Sequence, residues 1–404
     1  MAEIYRDNPF QNPLFERTVT QWLEEYRNIS DLNRFMGTSP NDVIYLKSQK
    51  KGAGDEIIFP LMQPLDAKIV EGDNQLVGHE TGLNLTSDRL YINNMRFGTK
   101  IINAELQEIQ MKFSFSDRIR ANLRNQAEEF HTRRIISQFA LAVANIRLQP
   151  FDSQVYAYSA LPDLMLNANL DTANAGLSRS RVLIGDDYYA THATITDALQ
   201  VGNLPVADHK LTVEHIRNAV TLAKTGRSKA IVGALEFTSK ENAIRPFKRM
   251  MEDGFEAKTF LWLTSPDGYA QLAKDPAWIA QTQRGVIAGS MQPSILGGSS
   301  MYKGTVEGVM VLEIPEFDYL TITNAVGNKY VYSALCGASA IGYGMGGRPE
   351  LRTDLQDYQH QYGLAHTEIS GMKVLKFPSK SIGLITNNTN YVEYGMIHSF
   401  TTLS

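Results

Sequence analysis

The residues whose types and spacing most resemble a binding motif lie in one glycine-rich stretch, NKYVYSALCGASAIGYGMGGRPE, from Asn328 to Glu350. Gly342, Gly344 and Gly347 fit the pattern G-x-G-x-x-G, with which a strand, a tight turn and a helix together hold the pyrophosphate of a dinucleotide. That arrangement needs a strand before the glycines, whereas the Ala, Leu and Ser residues that precede them favour a helix. Small residues such as Gly337 would let this helix pack closely on a sheet. We therefore interpret the glycines as serving close packing, with a turn at the last two of them, and predict no cofactor.

No other motif combines a nucleophile, a base or a set of metal ligands. The sequence has no G-K-[ST] phosphate loop and no G-x-S-x-G nucleophile turn. His79-Glu80 begins like a zinc-protease helix but lacks the second histidine of that motif. Cys336, which the pattern places in the middle of the predicted helix, has the apolar neighbours that are typical of a buried thiol. The eight histidines are scattered along the chain: His79, His131, His192, His209, His215, His360, His366 and His398. We predict no catalytic, cofactor-binding or metal-binding residues, although an enzyme with an unrecognised site stays an alternative.

The composition is that of a folded protein with little net charge. The 404 residues are 43% hydrophobic and 20% charged, with a formal net charge of -4, so no strong basic field would attract nucleic acid or an anionic membrane. The single cysteine cannot form an intramolecular disulfide, which favours a reducing compartment. We find neither an apolar run of the roughly 20 residues that cross a membrane nor the basic and apolar regions of a secretory signal. The length favours two or three subdomains.

The C-terminal half alternates between predicted strands and helices. The stretch TFLWLTSP predicts a buried strand that ends at Pro266, and the residues on both sides of Pro276 are predicted to be helical. Upstream, Thr212 as N-cap and Gly226 as C-terminal cap bound another helix. The apolar face of that helix is predicted to be Val213, Ile216, Val220 and Ala223. Further strands are predicted in GTVEGVMVLEIP, at Gly371–Phe377 and at Ile382–Thr386.

The N-terminal half predicts a long hairpin followed by a long helix. Residues 46–105 alternate between apolar and polar positions, with glycines and prolines as breaks, and predict two strands that have little to cover them. Ser116–Arg147 contains neither glycine nor proline and predicts one helix of ~48 Å. Its apolar stripe is predicted to be Phe130, Ile136, Phe139 and Val143. Its charged residues are interpreted as a solvated face, with a surface that contacts other subunits as the alternative: Arg118, Arg120, Arg124, Glu128, Glu129, Arg133 and Arg134.

The C-terminal half also contains an ordered series of short motifs that resembles the pattern of a known family. The first part of the resemblance is a strand ended by proline and followed by a helix, a D-x-x-W segment and an NP-x-x-x-G turn. The second part is a small-residue segment of type LLG-x-x-A and a DYG…FGVI pattern. The matching residues are Pro266, Leu272, Asp275, Trp278, Pro293, Gly297, Leu335, Gly337, Ala340, Asp357, Tyr358, Gly371, Lys373, Phe377 and the segment IGLIT from Ile382. The order of these motifs resembles that in one branch of the tailed-phage major capsid proteins. Among the departures from the pattern, Gln292 replaces Asn and Gln359 replaces Gly.

The resemblance implies an α+β chain with the shell fold of tailed-phage capsids. The implied ranges are an N-terminal arm at 1–45, an extended hairpin (E-loop) at 46–105, a peripheral domain at 106–258, an axial domain at 259–361 and C-terminal strands at 362–404 that return to the peripheral domain. Within the peripheral domain, the helix at 116–147 would be the spine and 150–210 a loop-rich connection.

The implied function is a major capsid protein of the virion. Its copies would assemble in the host cytoplasm as pentamers and hexamers and enclose double-stranded DNA without sequence-specific binding or contact with a membrane. Portal, scaffold and decoration proteins are the other implied partners. An encapsulin-type compartment shell, built on the same fold, stays the alternative. Lysines and asparagines are plentiful, but no pair is singled out for a crosslink between subunits.

Overall fold

The computed structural model describes about half of the chain, in segments that meet in the core. Described are 31–48, 56–62, 70–72, 75, 77, 85–102, 122, 123, 125–127, 130, 131, 134, 135, 138, 139, 181–184, 187, 188, 210–226, 243–250, 256–287, 301–320, 322, 323, 329–356, 361–378 and 391–402. The described residues between positions 122 and 139 are all helical, and we refer to them as the spine segment. The ends of the predicted helix 116–147, together with Ile136 and Val143, lie outside the described residues.

Strands dominate the described part of the chain. In chain order they are β1 (Met36–Gly37), β2 (Ile44–Ser48), β3 (Glu56–Met62), β4 (Leu85–Tyr91), β5 (Asn93–Ile102), β6 (Val182–Ile184), β7 (Asp187–Tyr188), β8 (Phe247–Met250), β9 (Glu256–Thr264), β10 (Tyr302–Val306), β11 (Val309–Glu313), β12 (Ile322–Thr323), β13 (Lys329–Cys336), β14 (Ile341–Gln356), β15 (Gln361–Val374), β16 (Lys376–Pro378), β17 (Tyr391–Glu393) and β18 (Met396–Thr402). The helices are α1 (Val213–Thr225), α2 (Pro266–Leu272) and α3 (Pro276–Ile287), and 3-10 helices occupy Asp31–Phe35 and Pro315–Leu320.

Nine of the described strands form the larger sheet, here sheet I, in the order β10-β11-β9-β13-β18-β6-β7, with β12 on β13 and β8 on β9. Its central strand β9 is apolar on both faces. Phe260 and Trp262 belong to one hydrophobic core, and Leu261 and Leu263 belong to the other. Strand residues alternate between the two faces of a sheet, so a strand buried on both sides has a continuous apolar sequence. The predicted buried strand before Pro266 is therefore confirmed.

The helices that cover sheet I begin and end where the sequence predicts. Thr212 accepts a hydrogen bond from the backbone N–H of His215, and Gly226 ends α1 with a φ of 65°. The apolar face of α1 is buried as predicted: Val213, Ile216, Val220 and Ala223. Pro266 stands in the first turn of α2, and Pro276 begins α3. A missing N–H is tolerated in the first turn of a helix, so the predicted helices on both sides of Pro276 are confirmed.

The smaller sheet, here sheet II, has five strands in the order β1-β2-β14-β15-β5. Its long strands β14 and β15 pair antiparallel, and β2 lies parallel to β14. The spine segment packs on one face of sheet II. The two-stranded hairpin β3–β4 packs on the other.

The helix predicted before the glycines is wrong. Residues Lys329–Cys336 form β13, which pairs with β9 on one side and β18 on the other, and Cys336 is its final residue. A segment between two strands gains backbone hydrogen bonds and burial on both faces, and this outweighs the modest helix preference of Ala, Leu and Ser. Gly337 lies in the connection to β14, where its N–H donates to the carbonyl of Gly395. The turn predicted at Gly346-Gly347 is also wrong, because β14 continues through both residues with irregular pairing.

The two sheets do not follow the predicted domain boundaries. Strand β14, within 259–361, lies in sheet II, and β18, within 362–404, lies in sheet I. The range 150–210, predicted to be loop-rich, contributes β6 and β7 to sheet I. The strand predicted at Gly371–Phe377 corresponds to the end of β15 and most of β16. The strand predicted at Ile382–Thr386 lies outside the described residues, and β17 and β18 lie in the range 362–404, where C-terminal strands were expected but their positions were not specified.

Candidate assembly surfaces

The hairpin β3–β4 packs on the glycine-rich strand β14, and we call the surface at Gly342 and Gly344 the hairpin seat. A Cβ atom placed on Gly344 would lie 2.5 Å from Cδ2 of Leu90 and 2.8 Å from Cδ1 of Ile57. A Cβ on Gly342 would lie 2.7 Å from Cδ2 of Leu375. Such distances are shorter than real Cβ contacts, so the hairpin and the segment after β15 occupy space that side chains on β14 would fill. The prediction that these glycines serve close packing is therefore supported, although they lie in a strand.

The inner face of the hairpin is covered by the same chain. One hydrophobic cluster contains Ile57, Phe59, Leu61, Leu90, Leu375, Phe377 and Val392. The Asp88 carboxylate accepts hydrogen bonds from Lys373 Nζ at 2.7 Å and from the backbone N–H of Lys376 at 2.8 Å. The prediction that residues 46–105 have little to cover them is therefore wrong for the described part of the hairpin. The segment after β15, distant in sequence, supplies a cover that a local pattern does not reveal.

The outer face of the hairpin carries exposed apolar side chains. We call Ile58, Pro60, Met62 and Tyr91 the outer hairpin face. Ile58 is 50% exposed, Met62 45% and Tyr91 40%. They alternate with the buried residues of β3 and β4. Because the underlying seat fixes the inner face, this apolar surface is presented in one orientation. Exposed apolar side chains grouped on one face are typical of contacts between proteins, and the ion pair of Arg89 with Glu56 lies on the same face.

A buried polar junction centred on Glu368 joins the spine segment to sheet II. His131 Nε2 lies 3.3 Å from Glu368 Oε2, and His366 Nε2 lies 3.6 Å from the same oxygen. Arg134 Nη1 lies 3.8 Å from Oε1, which also accepts a hydrogen bond from the Tyr343 hydroxyl. We call these five residues the Glu368 junction. Arg134 in addition donates to Ser370 Oγ at 2.7 Å.

The Glu368 carboxylate is buried, yet it is held in its charged form. Burial alone would raise the pKa of Glu368, but the electrostatic attraction and hydrogen bond of His131, the hydrogen bond of His366 and the charge of Arg134 hold that pKa well below its usual range. Burial and the neighbouring carboxylate raise the pKa of the Tyr343 hydroxyl, which therefore keeps its proton. The interpretation of Arg134 as part of a solvated face is wrong, because its guanidinium is buried between the spine segment and sheet II, where it contacts Glu368 and Ser370. Phe139, by contrast, is buried as predicted, and Phe130 is half-buried.

The remaining residues considered for chemistry are buried in the core where the chain is described. Cys336 is buried, and burial raises the pKa of its thiol, which disfavours the nucleophilic thiolate. His215 contacts the hydroxyl of Ser399, and His398 contacts that of Tyr332. His79, His192, His209 and His360 lie outside the described residues. Among the described side chains, no group of three or more His, Cys, Asp or Glu is arranged to hold a metal ion.

The sequence did not predict the Glu368 junction. His131 and His366 are far apart in the chain, and only the packing of the spine segment on β15 brings them together. Periodicity did place His131 and Arg134 one turn apart on a helix, but it could not show that this face lies against a carboxylate.

Among the described helices, none is both long and apolar enough to span a bilayer.

The comparisons with known proteins agree with this architecture. The chain belongs to the phage capsid protein family, whose profile it matches over residues 2–399. It is 25% identical over 401 residues to the major capsid protein of Pseudomonas phage KPP25, and the alignment covers 94% of this chain and 93% of that protein.

Solved phage capsids share the fold. The capsid of Ralstonia phage GP4 has a TM-score of 0.64 at 17% identity, covering 92% of this chain and 90% of that one. The capsid of cyanophage Pam1 has a TM-score of 0.63 at 18% identity, covering 93% of this chain and 92% of that one. The predicted α+β capsid shell fold and the predicted capsid function are therefore confirmed.

Proposed function

We propose that this chain is the major capsid protein of a tailed phage and that its copies close into an icosahedral head shell as pentamers and hexamers. The family match over residues 2–399 carries the proposal. The outer hairpin face supports it, because a rigid arm with an exposed apolar surface suits the many modest contacts of a shell.

Electron microscopy of the purified full-length chain tests this function. Closed particles or ring-shaped capsomers are the expected result, and a small soluble oligomer at every protein concentration would contradict it and favour an enzyme. The nucleic acid content of particles from infected cells separates two kinds of shell. Genomic double-stranded DNA inside supports a phage head, whereas particles that contain protein cargo and no DNA would favour an encapsulin-type compartment.

The packaged DNA is proposed to be held without sequence-specific contacts. A net charge of -4 gives the subunit no overall attraction to the phosphate backbone. A strongly basic inner wall would bind the genome and oppose its release. Salt-independent, weak binding of the subunit to duplex DNA is the expected result, and tight binding that weakens steeply with salt would contradict it. Portal, scaffold and decoration proteins are proposed partners, and assembly is proposed to occur in the host cytoplasm.

Sheet I with α1, α2 and α3 is proposed as the axial domain. Sheet II with the spine segment is proposed as the peripheral domain, and the hairpin β3–β4 as the base of the E-loop. This assignment follows the pairing of strands: β14 joins the peripheral domain and β18 the axial one, whereas the predicted ranges placed them the other way. The N-terminal arm at 1–45 stays a prediction. A cryo-EM map of the shell in which sheet I lies away from the fivefold and quasi-sixfold axes would contradict the assignment.

We also propose that the chain belongs to the branch with the C-terminal D-x-x-W pattern. Asp275 Oδ2 accepts a hydrogen bond from the N–H of Val213 at 2.7 Å, and Oδ1 accepts one from Ala277 at 2.9 Å. Trp278 is buried in the core beside α1. The two residues thus join the beginnings of α1 and α3, which gives the motif a structural role. An alignment of that branch in which other residue types commonly occupy these two positions would contradict the assignment.

A further inference from the structure

The segment Asp31–Ser48, which we call the strap, reaches from one sheet to the other. It begins with a 3-10 helix and ends with β2. At its first end, Phe35 packs edge-on against Phe247 of β8, with the ring centroids 6.0 Å apart, and β8 belongs to sheet I. At its other end, β2 pairs in parallel with β14 of sheet II. The strap is therefore attached to both sheets.

The middle of the strap is bonded to the short connection at which the chain passes from sheet I to sheet II. This connection, residues 337–340, joins β13 to β14. The backbone N–H of Ser339 donates to the carbonyl of Asp42 at 2.7 Å, and that of Ala340 donates to the carbonyl of Val43 at 2.9 Å. The strap thus supplies the acceptors for the second half of the connection.

Ser339 is held in a conformation that residues other than glycine rarely adopt. Its φ is 52°, in the left-handed region. Its hydroxyl donates to the carbonyl of Pro40 at 2.6 Å, so the side chain is also bonded to the strap. Such a conformation persists only where the surroundings determine it. The strap therefore fixes the backbone direction at the point where the chain leaves sheet I.

The attachments of the strap can break while both sheets stay folded. Phe35 and Val43 belong to the core that also contains Leu261 of sheet I and Tyr343 of sheet II. In sheet II, β2 lies between β14 and the two-residue strand β1, and parallel pairing is slightly less stable than antiparallel pairing. The central pairings β9–β13, β13–β18 and β14–β15 involve no residue of the strap. Elements with few partners open at a lower free energy than the centre of a sheet.

The other hydrogen bonds of the connection show where it would bend if the strap detached. The N–H of Ala338 donates to the carbonyl of Arg245, which lies close to the start of β8 in sheet I. The carbonyl of Ala340 instead accepts from the N–H of Leu375, which follows β15 of sheet II. Ser339 lies between these two attachments and is itself bonded to the strap. It is therefore the point at which the two sheets can change their relative direction.

We propose that the strap is a releasable brace that fixes the angle between sheet I and sheet II. When docked, it holds Ser339 and covers the edge of β14. When detached, it frees Ser339 as a hinge, and each sheet keeps its own central pairing. Copies at fivefold and sixfold positions of a shell meet their neighbours at different angles, and a releasable brace would serve that adaptation. This use rests on the proposed function, whereas the brace itself does not.

Hydrogen exchange of the unassembled full-length subunit, measured at single residues, tests the release of the strap. The N–H groups of Ser339, Ala340 and Ile341 donate to strap carbonyls, whereas those of Gly337 and Ala338 donate to groups outside the strap. After correction for intrinsic rates, the first three should exchange at least about tenfold faster than the other two. Equal protection of all five amides would overturn the proposal.

Spin labels on the two sides of the hinge test the angle. Lys224→Cys on α1 and Arg352→Cys on β14 provide exposed attachment points, and Cys336 is buried. Double electron–electron resonance should give one narrow distance distribution for the labelled protein. Adding Phe35→Ala should broaden it, because the strap loses its contact with β8. Phe260→Ala, in the core beside α1, is the matched control and should leave the distribution narrow.

A milder matched pair decides the matter if the phenylalanine variants do not fold. Val43→Ala shortens a buried side chain of the strap, and Val311→Ala shortens one in the core beside α1. Exchange at Ser339 should become about tenfold faster in the first variant and stay unchanged in the second. Equal broadening or equal exchange in strap and control variants would overturn the brace. None of these measurements needs a shell, so a negative result leaves the proposed function intact.

Discussion

Sheet I and sheet II are stabilised in different ways. Sheet I is covered by apolar side chains on both faces of its central strand, as Phe260 and Leu261 illustrate. Sheet II contributes Ile341, Met372 and Val374 to one of the same apolar cores, but it also has glycines under the hairpin on one face and the Glu368 junction on the other. Apolar burial depends little on direction, whereas hydrogen bonds and close backbone contacts fix one geometry. Sheet II is therefore the part of the subunit in which single substitutions should change how elements are held relative to one another.

Removing the Glu368 carboxylate should produce the largest loss of stability. Glu368→Ala removes the buried carboxylate that His131, His366 and Arg134 contact, and we expect a decrease of about 3–5 kcal/mol in the free energy of unfolding. Urea unfolding of the unassembled subunit measures it. The matched control is Glu350→Ala, on the exposed surface of the same sheet beside Arg352, which should cost less than about 1 kcal/mol. Equal losses in the two variants would mean that the junction contributes no more than a surface pair.

Filling the hairpin seat should have the next largest effect. Gly344→Val places side-chain atoms where Leu90 and Ile57 lie, so we expect a loss of about 1–3 kcal/mol from overpacking. Gly347→Ala is the control, because its Cβ would meet Ile369 at an ordinary 3.5 Å. Hydrogen exchange should show faster exchange in β3 and β4 of Gly344→Val alone. Unchanged exchange there would contradict the role of glycine as a seat.

Acid should weaken sheet II more than sheet I. The folded-state pKa of Glu368 lies well below its unfolded value. Its contribution to stability is therefore complete above the usual carboxyl range and is lost as the pH falls through the lowered pKa. For one group the slope is at most about 1.4 kcal/mol per pH unit. Unfolding free energies measured from pH 6 to pH 3 should decline more steeply in the wild type than in Glu368→Gln. Parallel curves would exclude Glu368 as the source.

Changing the outer hairpin face should scarcely affect folding. Ile58→Ser combined with Met62→Ser removes exposed apolar surface, and the free energy of unfolding should change by no more than about 1 kcal/mol. Assembly should nevertheless be impaired, which light scattering and electron microscopy would detect. Ile279→Ser, at an exposed apolar position on α3, is the comparison. If both proteins assemble as well as the wild type, the hairpin surface is not an assembly contact.

Local patterns were sufficient to predict much of sheet I. The apolar run of β9, the cap residues of α1 and the proline at the start of α2 each act through neighbours in sequence. β13 was predicted wrongly for the opposite reason. Its Ala, Leu and Cys become a strand because β9 and β18 supply hydrogen bonds on both sides, and those partners are remote in sequence.

The features of sheet II depend even more than those of sheet I on residues that are distant in sequence. The glycines of β14 were interpreted correctly as close-packing residues, but the hairpin that needs the space is far upstream. His131, Arg134 and Glu368 become one junction only when the spine segment lies on β15. A sequence alone cannot reveal which charged helix residues will be buried, because a solvated face and a face against a carboxylate have the same composition.

The position of β18 has a consequence for the order of folding events. β18 lies between β13 and β6, and it aligns His398 with Val182. Sheet I can therefore acquire its full width only after a very long loop has closed, and contacts of such high sequence separation slow the search for the native state. We therefore expect the subunit to fold slowly after synthesis. The rate at which assembly-competent copies become available would then be limited by the folding of each monomer.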